Sequence, residues 1–156
     1  MDNVYLSWND VAYLVDRITA GVTGRIDALI AVSRGGIVPA GLLAKRLNVR
    51  QVFIAAVSFF RDEDQQLEWP VYLQFPEDRL LRDQRILVVD DIWEHGRKIT
   101  NVRERIELAG GQAVTAVLHL RSGPAAATDP APDIYGAQTQ DNVIYPWQAE
   151  RGKQEA

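Results

Sequence analysis

The stretch Arg85-Ile86-Leu87-Val88-Val89-Asp90-Asp91-Ile92-Trp93-Glu94-His95-Gly96-Arg97-Lys98-Ile99-Thr100 decides how this chain folds. Residues 86–89 are apolar and run directly into two carboxylates, Asp90 and Asp91. A short Val- and Ile-rich run bounded by charge reads as a buried strand, here residues 85–90. A polar turn with one glycine, Gly96, then leads into a helical pattern. In an open parallel sheet, ligands sit outside the carboxyl ends of the strands, so the two acids fall at a rim where chemistry is done. The helix after the turn begins with unpaired amides, which attract anions. Acids beside an anion site point to a phosphorylated sugar: carboxylates for its hydroxyls, amides and cations for its phosphate.

Outward from this stretch, apolar runs alternate with helical patterns. Residues 7–20 carry Val11, Leu14, Val15 and Ile18 at helical spacing, with Ser7 as cap and Gly21 after the end. Residues 28–32 (ALIAV) are apolar on both faces, as a central parallel strand requires. Residues 38–47 follow as a helix with Pro39 in its first turn. Residues 51–60 form a second strand. Residues 61–70 (RDEDQQLEWP) are polar and acidic and read as a mobile loop. Residues 71–75 alternate like a strand, 99–109 form a helix ended by Gly110-Gly111, and 113–120 form the next strand. Residues 122–132 are a Gly/Ala/Pro loop, and 134–135 and 143–145 are short terminal strands. This pattern predicts an α/β three-layer sandwich with a mainly parallel central sheet and a small C-terminal cap. Residues 1–150 are expected to form one domain, and residues 151–156 a polar tail.

The bulk numbers exclude several classes. A length of 156 residues suits one domain, and 47% hydrophobic content supplies a core. A net charge of −4 gives no general attraction to nucleic acid or anionic membrane. The absence of cysteine rules out disulfides and thiolate metal sites. The first residues lack the pattern of a signal peptide, and no run approaches the roughly 20 apolar residues of a membrane helix, so a cytoplasmic location is expected. Apolar surface on the helices points to a homodimer or a higher homo-oligomer.

A second informative site is Ser33-Arg34-Gly35-Gly36, which joins a buried strand to a helix. Paired glycines allow backbone amides to approach a ligand, and consecutive amides form an anion nest to which Arg34 adds a charged fork. The same four residues also suit a plain glycine turn with a solvated arginine. Taken with its neighbours, Ile30-Ala31-Val32-Ser33-Arg34-Gly35-Gly36-Ile37-Val38-Pro39-Ala40 resembles the pyrophosphate-binding loop of the bacterial xanthine/guanine/hypoxanthine purine phosphoribosyltransferases. The stretch at 85–100 likewise resembles the phosphoribosyl-pyrophosphate signature of the type I phosphoribosyltransferases: a hydrophobic strand, two acids, two variable residues, an acid, Thr-Gly, one variable residue and Thr. Asp90, Asp91, Glu94 and Gly96 match, whereas His95 and Lys98 stand where threonines are usual.

The resemblance implies a reaction. The ribose 5-phosphate of phosphoribosyl pyrophosphate passes to a purine base (xanthine, guanine or hypoxanthine) and pyrophosphate leaves, with Mg2+ as cofactor, in a role such as purine salvage. It implies that Ser33, Arg34, Gly35 and Gly36 bind pyrophosphate. Asp90 and Asp91 hold the ribose hydroxyls, touch the metal only through water if at all, and with Glu94 form the catalytic set. Glu94 stands where the family's acid takes the base's N7 proton. His95, Gly96, Arg97, Lys98, Ile99 and Thr100 occupy the 5′-phosphate loop. Either the basic side chains there supply charge in place of hydroxyls, or the loop is degenerate. Cations in a helix's first turn oppose the dipole unless an anion offsets them, which favours the former.

At the base-recognition end the resemblance points to Arg121, Asn142 and Val143. Arg121 stands where purine enzymes carry a lysine, and Asn142 where an aromatic is usual. Tyr145 and Trp147 read as core or rim residues, Trp93 as packing, and Trp69 as a loop anchor or a contact between copies. The resemblance also implies a strained, even cis, non-proline peptide at Ser33–Arg34 or Arg34–Gly35. It makes residues 61–70 the loop that closes over the reacting centre. The retained acids favour an enzyme. The altered phosphate loop and Asn142 favour a non-catalytic or regulatory nucleotide- or phosphoribosyl-pyrophosphate-binding protein on the same fold, or a relative acting on another base.

Overall fold

The alternating apolar runs resolve into strands that share one sheet, with helices on both of its faces. The computed structural model describes residues 1–60, 66–122 and 130–148. In chain order the elements are β1 (Asn3–Tyr5), α1 (Trp8–Gly21), β2 (Ala28–Val32), α2 (Ile37–Leu47), β3 (Gln51–Phe60), β4 (Gln66–Gln74), α3 (Asp78–Leu81), β5 (Arg85–Trp93), α4 (Arg97–Leu108), β6 (Gln112–Arg121), β7 (Ile134–Thr139) and β8 (Asn142–Ile144). Six strands lie in the order β4-β3-β2-β5-β6-β7. Every pairing in this sheet is parallel except that of the edge strand β4 with β3. This is the α/β architecture with a mostly parallel sheet that the sequence leads one to expect.

Strand alternation sorts the core into two layers. Leu29, Ala31, Leu87, Val89, Ala116 and Leu118 face α1 and α2, which contribute Val11, Leu14, Val15, Ile18, Ala40 and Leu43. Ala28, Ile30, Val32, Ile86, Val88 and Val117 face the other way, onto Leu81 of α3 and Ile99, Val102 and Ile106 of α4. Helix ends are fixed locally. The Ser7 hydroxyl accepts from the Asp10 amide at 3.1 Å, and the Asp10 carboxylate accepts from the Ser7 amide at 2.7 Å, closing a capping box. Asn48 takes the left-handed conformation (φ 53°) that ends α2.

Three expectations need correction. Residues 66–70 are not loop but the first half of β4, pairing antiparallel with β3, while residues 61–65 lie outside the described residues. An edge strand has one hydrogen-bonded neighbour and tolerates polar residues and Pro70, which is why it reads as loop in sequence. Trp69, Val71 and Leu73 alternate along it and are all exposed, Trp69 by 79%. Second, β5 continues past the acids to Trp93, because β6 goes on supplying partners: Ile92 pairs with His119 and Trp93 with Leu120. Asp91 therefore joins Asp90 within the strand rather than following it. Third, the cap is made by both termini: β8 pairs in parallel with β1, a strand not anticipated, while β7 joins the main sheet. The tail at 151–156 and residues 123–129 of the expected loop lie outside the described residues.

Close approach to the central strand β5 depends on glycine. A Cβ on Gly36 would lie 2.1 Å from the Val89 carbonyl oxygen, whereas one on Gly41, in α2, would meet nothing within 4 Å. Gly36→Ala is therefore expected to destabilise the fold by about 1–3 kcal/mol or more. Gly41→Ala is expected to stabilise it by about 0.5–1 kcal/mol. Denaturant unfolding of the two variants reads the difference, and equal midpoints would show that β5 yields to the added methyl.

Candidate active site

The chain turns one way from β2 to β3 and the other way from β5 to β6, so the sheet changes direction between β2 and β5. Crevices at such switch points, outside the carboxyl strand ends, are where open α/β sheets bind ligands. Here the crevice has a concrete origin. The pairing of β2 with β5 ends at Ala31–Val89 and β2 itself at Val32, while β5 runs on beside β6. Beyond Val89 one edge of β5 lacks a strand neighbour among the described residues, and the turn at 33–36 folds across the opening. The resulting cavity of about 810 Å³ lies within the usual range for small-molecule sites.

The turn is seated by the backbone. Ser33 N–H donates to the Ala55 carbonyl at 2.9 Å, Gly36 N–H to Val32 at 2.8 Å, and Ile37 N–H to Arg34 at 3.1 Å. The Ser33–Arg34 peptide is cis. A Cβ on Gly35 would lie 2.5 Å from the Asp91 carboxyl group, so only glycine lets this turn lie flat on the acid. Ser33, Arg34 and Gly35 line the cavity, and Gly36 sits behind them.

Asp90 and Asp91 both line the same cavity. Asp90 Oδ1 accepts from the Asp91 amide at 2.9 Å, and Asp91 Oδ1 from the Ile92 amide at 2.7 Å. Burial pushes the Asp90 carboxyl well above the usual carboxylate range, and the charge of Asp91 pushes it further, while Lys98 pulls it back. Burial also raises Asp91, against the Ile92 amide, which favours its charged form. Two carboxyls held uphill of their ordinary titration in a crevice mark a site with a task beyond stability.

On the far side of the cavity, the chain passes through Gly96 into α4. Gly96 takes φ 65°, and a Cβ there would lie 2.1 Å from the ring of Trp93, which is buried beneath it. The Thr100 amide donates to the Gly96 carbonyl at 2.9 Å, so the Lys98 and Ile99 amides come before the first intrahelical bond and face outward at the positive end of the dipole. No acid lies in that first turn. The Arg97 guanidinium lies over the Phe59 ring, 3.8 Å from its centroid. His95, Gly96, Arg97, Lys98 and Ile99 line the cavity, and Thr100 does not.

Glu94 lines the cavity and forms an ion pair with Arg121, Nε to Oε1 3.1 Å. Arg121 is not itself part of the lining. Neither are Asn142 and Val143: the Asn142 side-chain Nδ2 donates to Asn3 Oδ1 at 2.8 Å and Val143 is buried in the core, so β8 uses both to build the cap. The wall at that end comes instead from Trp147 and Gln148, and Phe59 adds the end of β3. Sequence reading passed over Phe59 as part of a strand, although a strand beside β2 must end at the same rim. Trp147, read from the sequence as a core or rim residue, takes its place at the cavity from where the cap returns.

The profile of the phosphoribosyl transferase domain family matches residues 5–150. A curated relative, the xanthine-guanine phosphoribosyltransferase of Idiomarina loihiensis, is 37% identical over 83 residues, which are 52% of this chain and 49% of that protein. The chain thus spans about half the length of the curated relative it matches. Among solved structures, the purine phosphoribosyltransferase of Pyrococcus horikoshii Ot3 superposes with a TM-score of 0.77 at 28% identity, covering 95% of each chain. A hypothetical protein of Neisseria gonorrhoeae with bound ppGpp superposes with a TM-score of 0.72 at 23% identity over 97% of each chain, a likeness of fold.

The buried acids carry a stability consequence with a definite sign. The Asp90 carboxyl titrates at higher pH folded than unfolded. Between the ordinary carboxylate value and that raised value, the folded state keeps a proton the unfolded state has lost, so stability falls as pH rises through the window. An asparagine at this position cannot ionise. Asp90→Asn is therefore expected to melt higher than wild type at neutral pH, with the gap closing as pH falls toward the ordinary carboxylate range. Melting curves across pH check this, and a gap that does not vary with pH would contradict it.

Proposed function

Because this chain belongs to the phosphoribosyl transferase domain family, we propose that it transfers the 5-phosphoribosyl group of phosphoribosyl pyrophosphate to a purine of the xanthine/guanine/hypoxanthine class. The bond from C1 of the ribose to the pyrophosphate oxygen breaks, and one from C1 to a base nitrogen forms. The observation that carries this reading is the meeting, in one cavity, of the Ser33–Gly36 turn, the Asp90–Asp91 pair and the exposed amides at the start of α4. A sugar bearing phosphate groups at both ends calls for that triple arrangement.

In this reading each part has a task. The Arg34 side chain and the Arg34 and Gly35 amides receive pyrophosphate, since the Ser33 and Gly36 amides are committed to Ala55 and Val32; negative charge develops on it as it leaves. Asp90 and Asp91 hold the ribose hydroxyls and stabilise the cationic sugar. The Lys98 and Ile99 amides bind the 5′-phosphate, with Lys98, Arg97 and His95 replacing the charge balance that hydroxyl groups supply elsewhere. The Thr100 amide is already committed to Gly96, which leaves only its hydroxyl for that loop. Glu94 accepts the proton of the base, oriented by Arg121. That is how Arg121 touches base recognition without lining the cavity.

The residues also fit Mg2+. No group of three or more His, Cys, Asp or Glu residues arranged to hold a metal occurs among the described residues. Mg2+ needs no such cage: it is usually held by one or two carboxylates, water and substrate phosphates, and Asp90 and Asp91 offer hard oxygen donors at the cavity wall. When bound, the ion offsets the charge of the pyrophosphate.

One observation favours a second reading, a nucleotide- or phosphoribosyl-pyrophosphate-binding protein without turnover. Glu94, the proposed proton acceptor, is already paired with Arg121. An assay of pyrophosphate release with phosphoribosyl pyrophosphate, Mg2+ and a panel of bases separates the two. The expected outcome is release with at least one 6-oxopurine. Asp90→Asn combined with Asp91→Asn is expected to lower turnover at least about a hundredfold in a folded protein. Binding without release for any base would favour the second reading.

The phosphate loop has its own test. By calorimetry, Lys98→Ala is expected to weaken ribose 5-phosphate binding about tenfold, the scale of one charge-assisted hydrogen bond. Equal affinities would remove Lys98 from the site.

A further inference from the structure

The residue that links the cap to the acidic end of β5 is Tyr145. It is fully buried, 1% exposed, immediately after β8. Its hydroxyl lies 2.8 Å from His119 Nδ1 on β6 and 3.1 Å from the main-chain carbonyl oxygen of Asp91. A carbonyl only accepts, so the single hydroxyl proton goes to Asp91. His119 Nδ1 must then carry a hydrogen and donate to the tyrosine oxygen. The reverse assignment would bring two lone-pair oxygens together with no proton between them. Burial lowers the proton affinity of His119, which favours the neutral ring, and the hydrogen bond to Tyr145 selects its tautomer. A one-way chain results: His119 N–H to Tyr145 O–H to Asp91 C=O.

The ring of Tyr145 makes a second connection. It stacks on Trp147 with centroids 4.8 Å apart and planes 2° from parallel. The turn between them is closed by the Gln148 amide on the Tyr145 carbonyl at 2.9 Å and by the Tyr145 amide on Gln148 Oε1 at 3.1 Å. Trp147, Gln148 and Asp91 all line the cavity, and the Asp91 carboxyl group lies against Gly35. One side chain thus grips both the peptide that aims an acid and an aromatic ring that lines the same cavity.

We propose that Tyr145 is a positioning residue for the reaction: its hydroxyl, oriented by His119, fixes the Asp91 peptide, and its ring sets Trp147, so that acid and wall keep one spacing. The proposal rests on the transferase reading given above. Misplacing a reacting group lowers rate more than it weakens binding, because alignment matters most in the transition state.

The test is Tyr145→Phe, which keeps the ring stack and removes only the hydroxyl. The expected result is a folded protein whose kcat falls about tenfold, with KM for phosphoribosyl pyrophosphate changed less than about twofold. In parallel, the 15N spectrum of His119 is expected to show hydrogen on Nδ1 in wild type and to lose that single-tautomer signature in the variant. Wild-type kcat in the variant would overturn the proposal. So would a variant that does not fold, which would make the hydroxyl a structural support. If wild type itself releases no pyrophosphate with any base, the transferase reading fails separately. The link to Asp91 is then judged by the His119 spectrum alone, and hydrogen on Nε2 in wild type would overturn it.

Discussion

Gly35 and the Asp91 carboxyl group occupy adjoining space with no room for a single methyl between them. Much of the structure is arranged around that contact. It requires β2 to stop at Val32, so that the turn can swing over the open edge of β5. It requires β6 to run on, so that β5 keeps strand geometry through Asp90 and Asp91 after its other neighbour has ended. It requires Gly36 against the Val89 carbonyl, since any side chain there would lift the turn away from the acids. The cavity is the space left when one strand ends before its neighbour and a glycine turn covers the step.

The same arrangement works against stability. Two carboxyls are drawn into a region where burial disfavours their charge, and two cations stand in the first turn of a helix whose dipole repels them. A ligand carrying phosphates at both ends and hydroxyls between them relieves both costs at once. The folded core can sustain this because it is continuous on both faces of the sheet, and β2 at its centre is buried from end to end. Sites that oppose local stability in this way are expected where a structure has been shaped for binding or chemistry.

Much of this was legible in the sequence, for identifiable reasons. Strand β2 reads directly from five consecutive apolar residues, because only a strand covered on both faces asks for that pattern. The turn at Ser33 was legible only with its neighbours, through the resemblance of residues 30–40 to a known loop, since the four residues alone also suit a plain glycine turn. Where β5 ends was not legible, since charge normally marks a boundary and the continuation depends on the length of β6. Strand β4 was hidden by its polar edge. Asn142 and Val143 were expected at the site by analogy of position; they stand in the pairing of β8 with β1, and Trp147, a few residues on, lines the cavity. Convergence of distant segments leaves no periodic trace, so the acidic part of the cavity lining could be read locally and the part that Gln148 and Phe59 contribute could not.

If the two anion-binding turns and the acids between them work together, one cavity must receive both ends of one sugar. A crystal structure of the protein with phosphoribosyl pyrophosphate and Mg2+ measures this directly. The expected result is pyrophosphate on the turn at Ser33 to Gly36, the 5′-phosphate on the amides of Lys98 and Ile99, and the ribose hydroxyls within hydrogen-bond distance of Asp90 and Asp91. A sugar phosphate bound elsewhere, or with its hydroxyls turned away from both acids, would contradict it.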